Sequence, residues 1–311
     1  MYDVLVVGGG PAGASAALVL ARLRRKVLLI DAGEGRNAGA TGVHNLVGRE
    51  GVEPAALRAN YFGELALYPD AEVRRGEVRS LSSGPETFEL ALEDGTVERG
   101  RRLVLATGVR DELPDLPGLA ENWGSSVLHC VYCHGWEVRD RPLGVLARTA
   151  EEADWAFTLL RFSSDILVLT DGTGAAKVHL ERLADHGIEV DDAPLERVHT
   201  DTEGLLLETR DGRRIPRHAV FLVPEVRQRS SLAEDVGCRL NEHGLILVDS
   251  LQRTSVPGIR AVGDAARPVQ ARAKAMQVAV AAAEGVTVAM LLDAELTGAD
   301  TAGIVASAPG A

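Results

Sequence analysis

The sequence predicts an α/β fold built from two dinucleotide-binding-type domains, the first discontinuous and the second, smaller one inserted into it. Three features of the chain lead there. A strand, a glycine turn, a helix and a second strand open the chain, and a strand ending in small residues, "RRLVLATGVR", begins at Arg101. A comparable stretch, "TSVPGIRAVGDA", appears only at Thr254, with a separate strand-helix-strand rhythm lying between. Strands alternating with helices are the signature of βαβ units and a parallel sheet.

The first forty residues carry the clearest pattern. "DVLVVGGG" (3–10) reads as a strand, "PAGASAALVLARL" sets Ala and Leu at helical spacing, and "KVLLIDA" (26–32) is a second strand. Gly8, Gly10 and Gly13 form G-x-G-x-x-G, and Asp31 ends the second strand eighteen residues after the last glycine. Glycines at that spacing allow a tight turn, close approach of backbone to a pyrophosphate, and packing of helix on strand. The helix N-terminus then faces the phosphates, and the acid takes a ribose hydroxyl. A dinucleotide is the implied ligand.

Bulk properties narrow the setting. With 311 residues, 46% of them hydrophobic, the chain can bury two ordinary cores. The net charge of −12, with Arg scattered among Glu and Asp, leaves no basic stripe for nucleic acid. No apolar run approaches a membrane span, and the N-terminus enters a strand by Val4 with no charged leader, so the cytoplasm is the expected compartment. There a dithiol stays reduced unless it is catalytic, and three cysteines cannot build a disulfide framework.

Pro114 and Pro117 mark the way out of the first domain, and "NEHGLILVD" (241–249) the way back. The expected limits are 1–113 and 244–297 for the first domain and 114–243 for the insert. A long Ala-rich helix closes the chain, with 298–311 as a flexible tail.

"HCVYCHGWE" (129–137) opens the insert and pairs Cys130 with Cys133. C-x-x-C-H serves covalent haem, zinc, redox chemistry or nothing. Haem needs an exported chain. Zinc would have to enlist His129 or His134 and the distant Cys238, with no second close pair. Cys238 itself is most simply a core residue.

Ala106-Thr107-Gly108 and Gly263-Asp264, closing the two later strands, resemble motifs of the two-dinucleotide flavoprotein oxidoreductases, which implies FAD. With C-x-x-C and a last helix carrying Gln277, nearly the whole chain resembles the low-molecular-weight thioredoxin reductases. The resemblance gives Cys133 the flavin-proximal role and Cys130 the exchange role with substrate. It implies FAD contacts from Gly8, Gly10, Pro11, Ala12, Gly13, Asp31, Ala32, Val78, Ala106, Thr107, Gly108, Gly263, Asp264, Gln277 and Val278. Arg36, Asn37, His44 and Asn45 fall where that family wraps the isoalloxazine, and Met276 replaces its usual arginine. A homodimer is implied as well.

The insert departs from the family. Where a second glycine-rich turn belongs, the chain reads "ARTAEE": Arg148, Thr149 and Glu151 would obstruct a pyrophosphate, and Glu151 with Glu152 would repel it. The next strand ends in "LTDG" without an arginine for a 2′-phosphate, so NADPH binding in the usual manner is not expected. C-x-x-C-H-G instead resembles the branch that closes disulfides in small dithiol natural products, the gliotoxin and holomycin oxidases. The expected function is therefore an FAD-dependent dithiol oxidase acting on a small dithiol of dithiolopyrrolone or epidithio type, with molecular oxygen reduced to hydrogen peroxide. An NAD(P)H- or ferredoxin-coupled disulfide reductase and a non-turnover redox sensor remain alternatives. His134 stands where thioredoxin reductases have an aspartate; an imidazole near pKa ~6.5 suits proton exchange with thiols better than a carboxylate near ~3.9. Trp123, Tyr132 and Trp136 flank the pair and either wall a pocket for a heterocyclic dithiol or belong to the core.

Overall fold

The computed structural model describes residues 1–33, 35–84, 87–271 and 275–306, the side chains of 303–306 excepted. The first domain starts with β1 (Tyr2–Val7), α1 (Pro11–Arg22) and β2 (Val27–Asp31). All of β2 and nearly all of β1 are buried, because a parallel strand is covered on both faces; hence the unbroken apolar runs. After α2 (Pro54–Leu65) come β3 (Ala71–Arg75), β4 (Val78–Ser83), β5 (Phe88–Leu92) and β6 (Val97–Leu105). The sheet order is β3-β2-β1-β6-β5-β4, parallel from β3 to β6 and antiparallel beyond.

β7 (Val109–Glu112) leads into the insert, which holds β8 (Val127–Leu128), α3 (Val131–His134), β9 (Leu143–Leu146), α4 (Ala150–Ala153), α5 (Trp155–Leu159) and β10 (Ile166–Leu169). It continues through α6 (Leu180–Asp185), β11 (Glu189–Asp191), β12 (Leu195–Asp201), β13 (Gly204–Thr209), β14 (Arg214–Arg217) and β15 (Ala219–Leu222). β11-β10-β9-β15-β8 form a parallel sheet, with β12-β13-β14 as an antiparallel meander. Val145, Val168 and Phe221 centre its core. β16 (Glu225–Gln228) returns alongside β7, antiparallel to it.

The return is completed by α7 (Leu232–Asp235), β17 (Ile246–Val248), β18 (Ile259–Ala261), β19 (Ala266–Pro268) and α8 (Val278–Ala306). β18 joins the first sheet along β6, so the two halves of the discontinuous domain share one sheet. Two of the expected limits need correction. Leu232, Ala233 and Cys238 already pack in the first domain's core with Leu5 and Leu28, so the chain is back well before residue 244. Too few apolar residues lie there to stand out among polar neighbours. The tail expected at 298–311 continues α8 to Ala306, because Asp300 takes both Arg25 (2.8 Å) and Arg101 (2.6 Å) and Thr297 accepts from Arg25 at 2.7 Å. Residues 307–311 lie outside the described part.

Candidate active site

A long cavity of about 530 Å³ runs from the turn between β1 and α1 to the cysteine pair, a size suited to a cofactor or small molecule. Gly8, at φ +106°, shapes its floor: a Cβ there would sit 2.2 Å from the Ala106 carbonyl oxygen. Gly13 lets α1 close on the turn, since a Cβ would lie 1.9 Å from the Gly8 oxygen. Pro11 starts α1, where its missing N–H is no loss, and the helix N-terminus opens into the cavity. Asp31 is buried; one oxygen accepts the Gly9 amide at 2.9 Å and the other pairs with Arg58. Gly10, Ala12, Ala32, Val78, Thr107, Gly108, Gly263 and Val278 also line the wall, as does Asp264. A helix N-terminus opening into the cavity, a buried acid beside the glycine turn and a channel reaching to the sulfurs fit FAD.

Toward the other end, Arg36 lines the cavity with Asn37 but spends its guanidinium on two carboxylates. It pairs with Asp111 through two bonds (2.8 and 2.5 Å) and with Asp264 at 3.1 Å. Burial works against its charge, yet Asp111 and Asp264 outweigh it and hold Arg36 protonated well above the usual range. The same guanidinium lies 3.0 Å from Met276 Sδ, so a positive group reaches the position where the sequence lacks an arginine. Asp111 and Arg58 were not legible in the sequence: each is brought to the site by the tertiary fold, without a local motif.

Cys130 and Cys133 form a disulfide at the start of α3. Cys133 lines the cavity, whereas Cys130 is buried beside it. The Cys133 amide donates to Cys130 Sγ at 3.1 Å, and Gln277 Nε2 donates to Cys133 Sγ at 3.1 Å and reaches Cys130 Sγ at 3.5 Å. Such donors favour a thiolate on either sulfur. Gln277 thus touches the pair as well as the cavity.

The histidines differ in kind. His129 is half-buried and stacked on Trp123 with centroids 5.5 Å apart. Burial, with the positive charge of Arg36, pushes it down to about 4, leaving it neutral and a poor proton acceptor. His134 also lines the cavity; burial lowers it, Glu137 opposes the shift, and His44 adds to it. His44 lines the cavity too, but its ring nitrogen Nδ1 lies 2.7 Å from Glu50. Asn45 does not line the cavity. Its amide side chain donates to the Tyr132 carbonyl at 2.9 Å, tying its loop to the cysteine helix. Trp123 packs partly into the insert's core, whereas Tyr132 and Trp136 are exposed.

The turn after β9 is closed upon itself. Thr149 Oγ1 accepts the Glu152 amide at 3.2 Å, and the Glu152 carboxylate accepts the Arg148 amide at 2.6 Å, so donors that a pyrophosphate would need are already taken. The crevice beside it, between Val145, Leu146, Glu152, Trp155 and Phe221, is too narrow to admit a water molecule. At the end of β10, the Thr170 hydroxyl is bound to Asp192 and Asp171 accepts the Leu195 amide at 2.6 Å. Among the described residues no group of three or more His, Cys, Asp or Glu side chains converges to hold a metal, and no helix is long and apolar enough to cross a membrane.

Comparison with known proteins agrees with this geometry. The pyridine nucleotide-disulphide oxidoreductase family model matches residues 2–285. Thioredoxin reductase sirT of Leptosphaeria maculans is 31% identical over 313 residues, covering 92% of this chain and 93% of the relative. Thioredoxin reductase tcpT of Claviceps purpurea is 31% identical over 277 residues, covering 85% and 86%. Among solved structures, HlmI superposes with a TM-score of 0.90 at 36% identity, covering 98% of this chain and 96% of that one. An oxidoreductase from Agrobacterium tumefaciens superposes with a TM-score of 0.88 at 32% identity, covering 95% and 98%. The chain belongs to the pyridine nucleotide-disulphide oxidoreductases, as a thioredoxin reductase-like FAD flavoprotein acting on sulfur groups.

Proposed function

We propose that the protein is an FAD-dependent oxidase that closes an intramolecular disulfide in a small dithiol, passing two electrons to oxygen: dithiol plus O2 gives disulfide plus H2O2. The observation that carries this reading is the pairing of a disulfide set against the cofactor cavity with a second-domain turn whose Arg148 and Glu152 amides are spent internally. Electrons would then enter through sulfur. The C-x-x-C-H-G string and its resemblance to dithiol oxidases support the same direction.

In this mechanism His134 takes the proton of a substrate thiol, and the thiolate attacks Cys130 Sγ. Cys133 departs as a thiolate, met by the Gln277 amide at 3.1 Å. The second substrate thiol attacks the mixed disulfide, closing the product and freeing Cys130. Bound FAD supplies the two-electron acceptor that reoxidises the cysteine pair and delivers the electrons to oxygen. Gly8, Gly10 and the start of α1 would hold its pyrophosphate, Asp31 its ribose and Asp264 its ribityl chain. His129, neutral and stacked, shapes the wall without exchanging protons. A homodimer is proposed on the resemblance alone.

Anaerobic titration tests the reading. Bleaching of the flavin by dithiothreitol, followed by peroxide on admitting air, is the expected result. Rapid bleaching by NADPH would instead establish a reductase, and no bleaching by either a redox sensor.

A further inference from the structure

We propose that His44 is a proton relay between His134 and solvent, with Glu137 and Glu50 as its carboxylate partners; the inference rests on the thiol-exchange reading above. His44 Nδ1 lies 2.7 Å from Glu50 Oε1, and its Nε2 lies 3.6 Å from Glu137 Oε1. Its ring stands edge-on to that of His134, with centroids 6.4 Å apart. The His44 side chain, 16% exposed, thus stands between two carboxylates, Glu137 at 35% and the more exposed Glu50 at 64%. One end of the array therefore borders the cavity beside Cys133, and the other is in water.

The array is held in place. The loop carrying His44 is pinched by the Val43 to Val52 bridge, and the Val43 amide donates to the Val52 carbonyl at 2.8 Å. The second Glu50 oxygen accepts the Asn45 amide at 2.9 Å, and the Asn45 side chain fixes the loop to the Tyr132 carbonyl in the cysteine helix. The hydrogen bond from His44 keeps the Glu50 carboxyl below its usual range, so the outer partner is a carboxylate.

Proton balance gives the array its purpose. The two exchanges convert the protein disulfide and a dithiol into the substrate disulfide, one Cys130 thiol, one Cys133 thiolate and one free proton. That proton first rests on His134, where burial and any charge on His44 disfavour it, Glu137 favours it, and His129 offers no second acceptor. Until it leaves, the base is occupied and the next thiol finds none. His44 can accept it on one nitrogen while giving up the proton on the other to Glu50, because the two ring nitrogens face the two carboxylates. The proposal thereby adds a proton-handling role to the flavin-side position that the sequence suggests for His44.

The test is steady-state oxidation of dithiothreitol in air by the FAD-loaded protein, following peroxide release between about pH 6 and about pH 9. Wild type should be insensitive to buffer concentration. His44→Asn should slow turnover about tenfold, and Glu50→Gln about threefold; both should recover as imidazole is added, because the buffer replaces the missing carrier. As a readout independent of turnover, the His134 ring followed by NMR should titrate at higher pH in His44→Asn, since a like charge has gone. Unchanged rates in both variants, or a slowing that imidazole does not relieve, would overturn the relay while leaving dithiol oxidation standing. Failure of wild type to release peroxide with dithiothreitol would sink the functional reading itself, and the His134 titration would still report whether the two rings interact.

Discussion

Two glycines three residues apart should differ in how the same added methyl affects apoprotein stability, although both should lose FAD affinity, which makes them a sharp test of the cofactor cradle. At Gly13 a Cβ would lie 1.9 Å from the Gly8 oxygen, where contact needs about 3.2 Å, so α1 must move by more than about 1 Å against a fully packed sheet. Overpacking of this kind costs about 1–3 kcal/mol, partly offset by the ~1 kcal/mol that Ala gains over Gly inside a helix. Gly13→Ala should therefore lower the stability of the apoprotein by up to about 2 kcal/mol and weaken FAD binding through the displaced turn. At Gly10 the backbone, φ −72° and ψ −177°, suits alanine, and an added Cβ meets nothing within 4 Å. Apoprotein stability should thus change by less than about 0.5 kcal/mol. Gly10 faces the cavity, however, and the methyl would keep the pyrophosphate off the helix N-terminus, weakening FAD at least about tenfold, or ~1.4 kcal/mol. Urea denaturation of the apoproteins and fluorescence titration with FAD separate the two effects. Equal FAD affinity in Gly10→Ala and wild type would refute the assignment of this turn to the pyrophosphate, and an equal loss of apoprotein stability in both variants would refute the packing argument.

Cys133→Ser should abolish flavin bleaching by dithiols, whereas Cys130→Ser should leave a Cys133 thiolate against oxidised flavin and a broad long-wavelength absorbance; the band appearing in Cys133→Ser instead would reverse the roles. His129, near 4 when folded against 6.5 in the unfolded chain, contributes stability that is present above the unfolded value and lost as pH falls toward the folded one. Between those limits wild type should lose about 3 kcal/mol more than His129→Phe, which keeps the stack on Trp123 without a titrating group; equal acid sensitivity in urea melts would contradict this. Asp111→Asn removes the principal partner of buried Arg36 and should destabilise the protein by about 3 kcal/mol, measured at neutral pH; a change within error would mean that Asp264 alone satisfies the guanidinium.

The parts of the fold that repeat a local rule were legible before any coordinates. The glycine turn and the strands around it advertise themselves because each residue answers to near neighbours. Contacts between distant segments leave no such trace. Arg36 and Asp111 are 75 positions apart, and nothing in either stretch announces the other. His44 and Asn45 were visible as a polar loop near the flavin, yet the Glu50 that takes His44 and the Tyr132 carbonyl that takes Asn45 follow from how that loop docks. The blocked turn of the insert was readable in outline from Arg148, Thr149 and Glu151. Its actual closure uses the Glu152 carboxylate, which accepts the Arg148 amide, and Trp155 helps to line the narrow crevice beside it. The early return at Leu232 was missed for the opposite reason, because a few apolar residues suffice when the sheet is already waiting for them.

The insert joins the rest of the protein through two short antiparallel strands, a natural hinge, but Asp111 on one of them is gripped by Arg36, Asn45 holds the cysteine helix, and Gln277 touches both sulfurs. Swinging the module away would have to break the Asn45 and Gln277 contacts to the cysteine segment. The sulfurs are thus held at the cavity, and turnover should not slow when glycerol thickens the solvent.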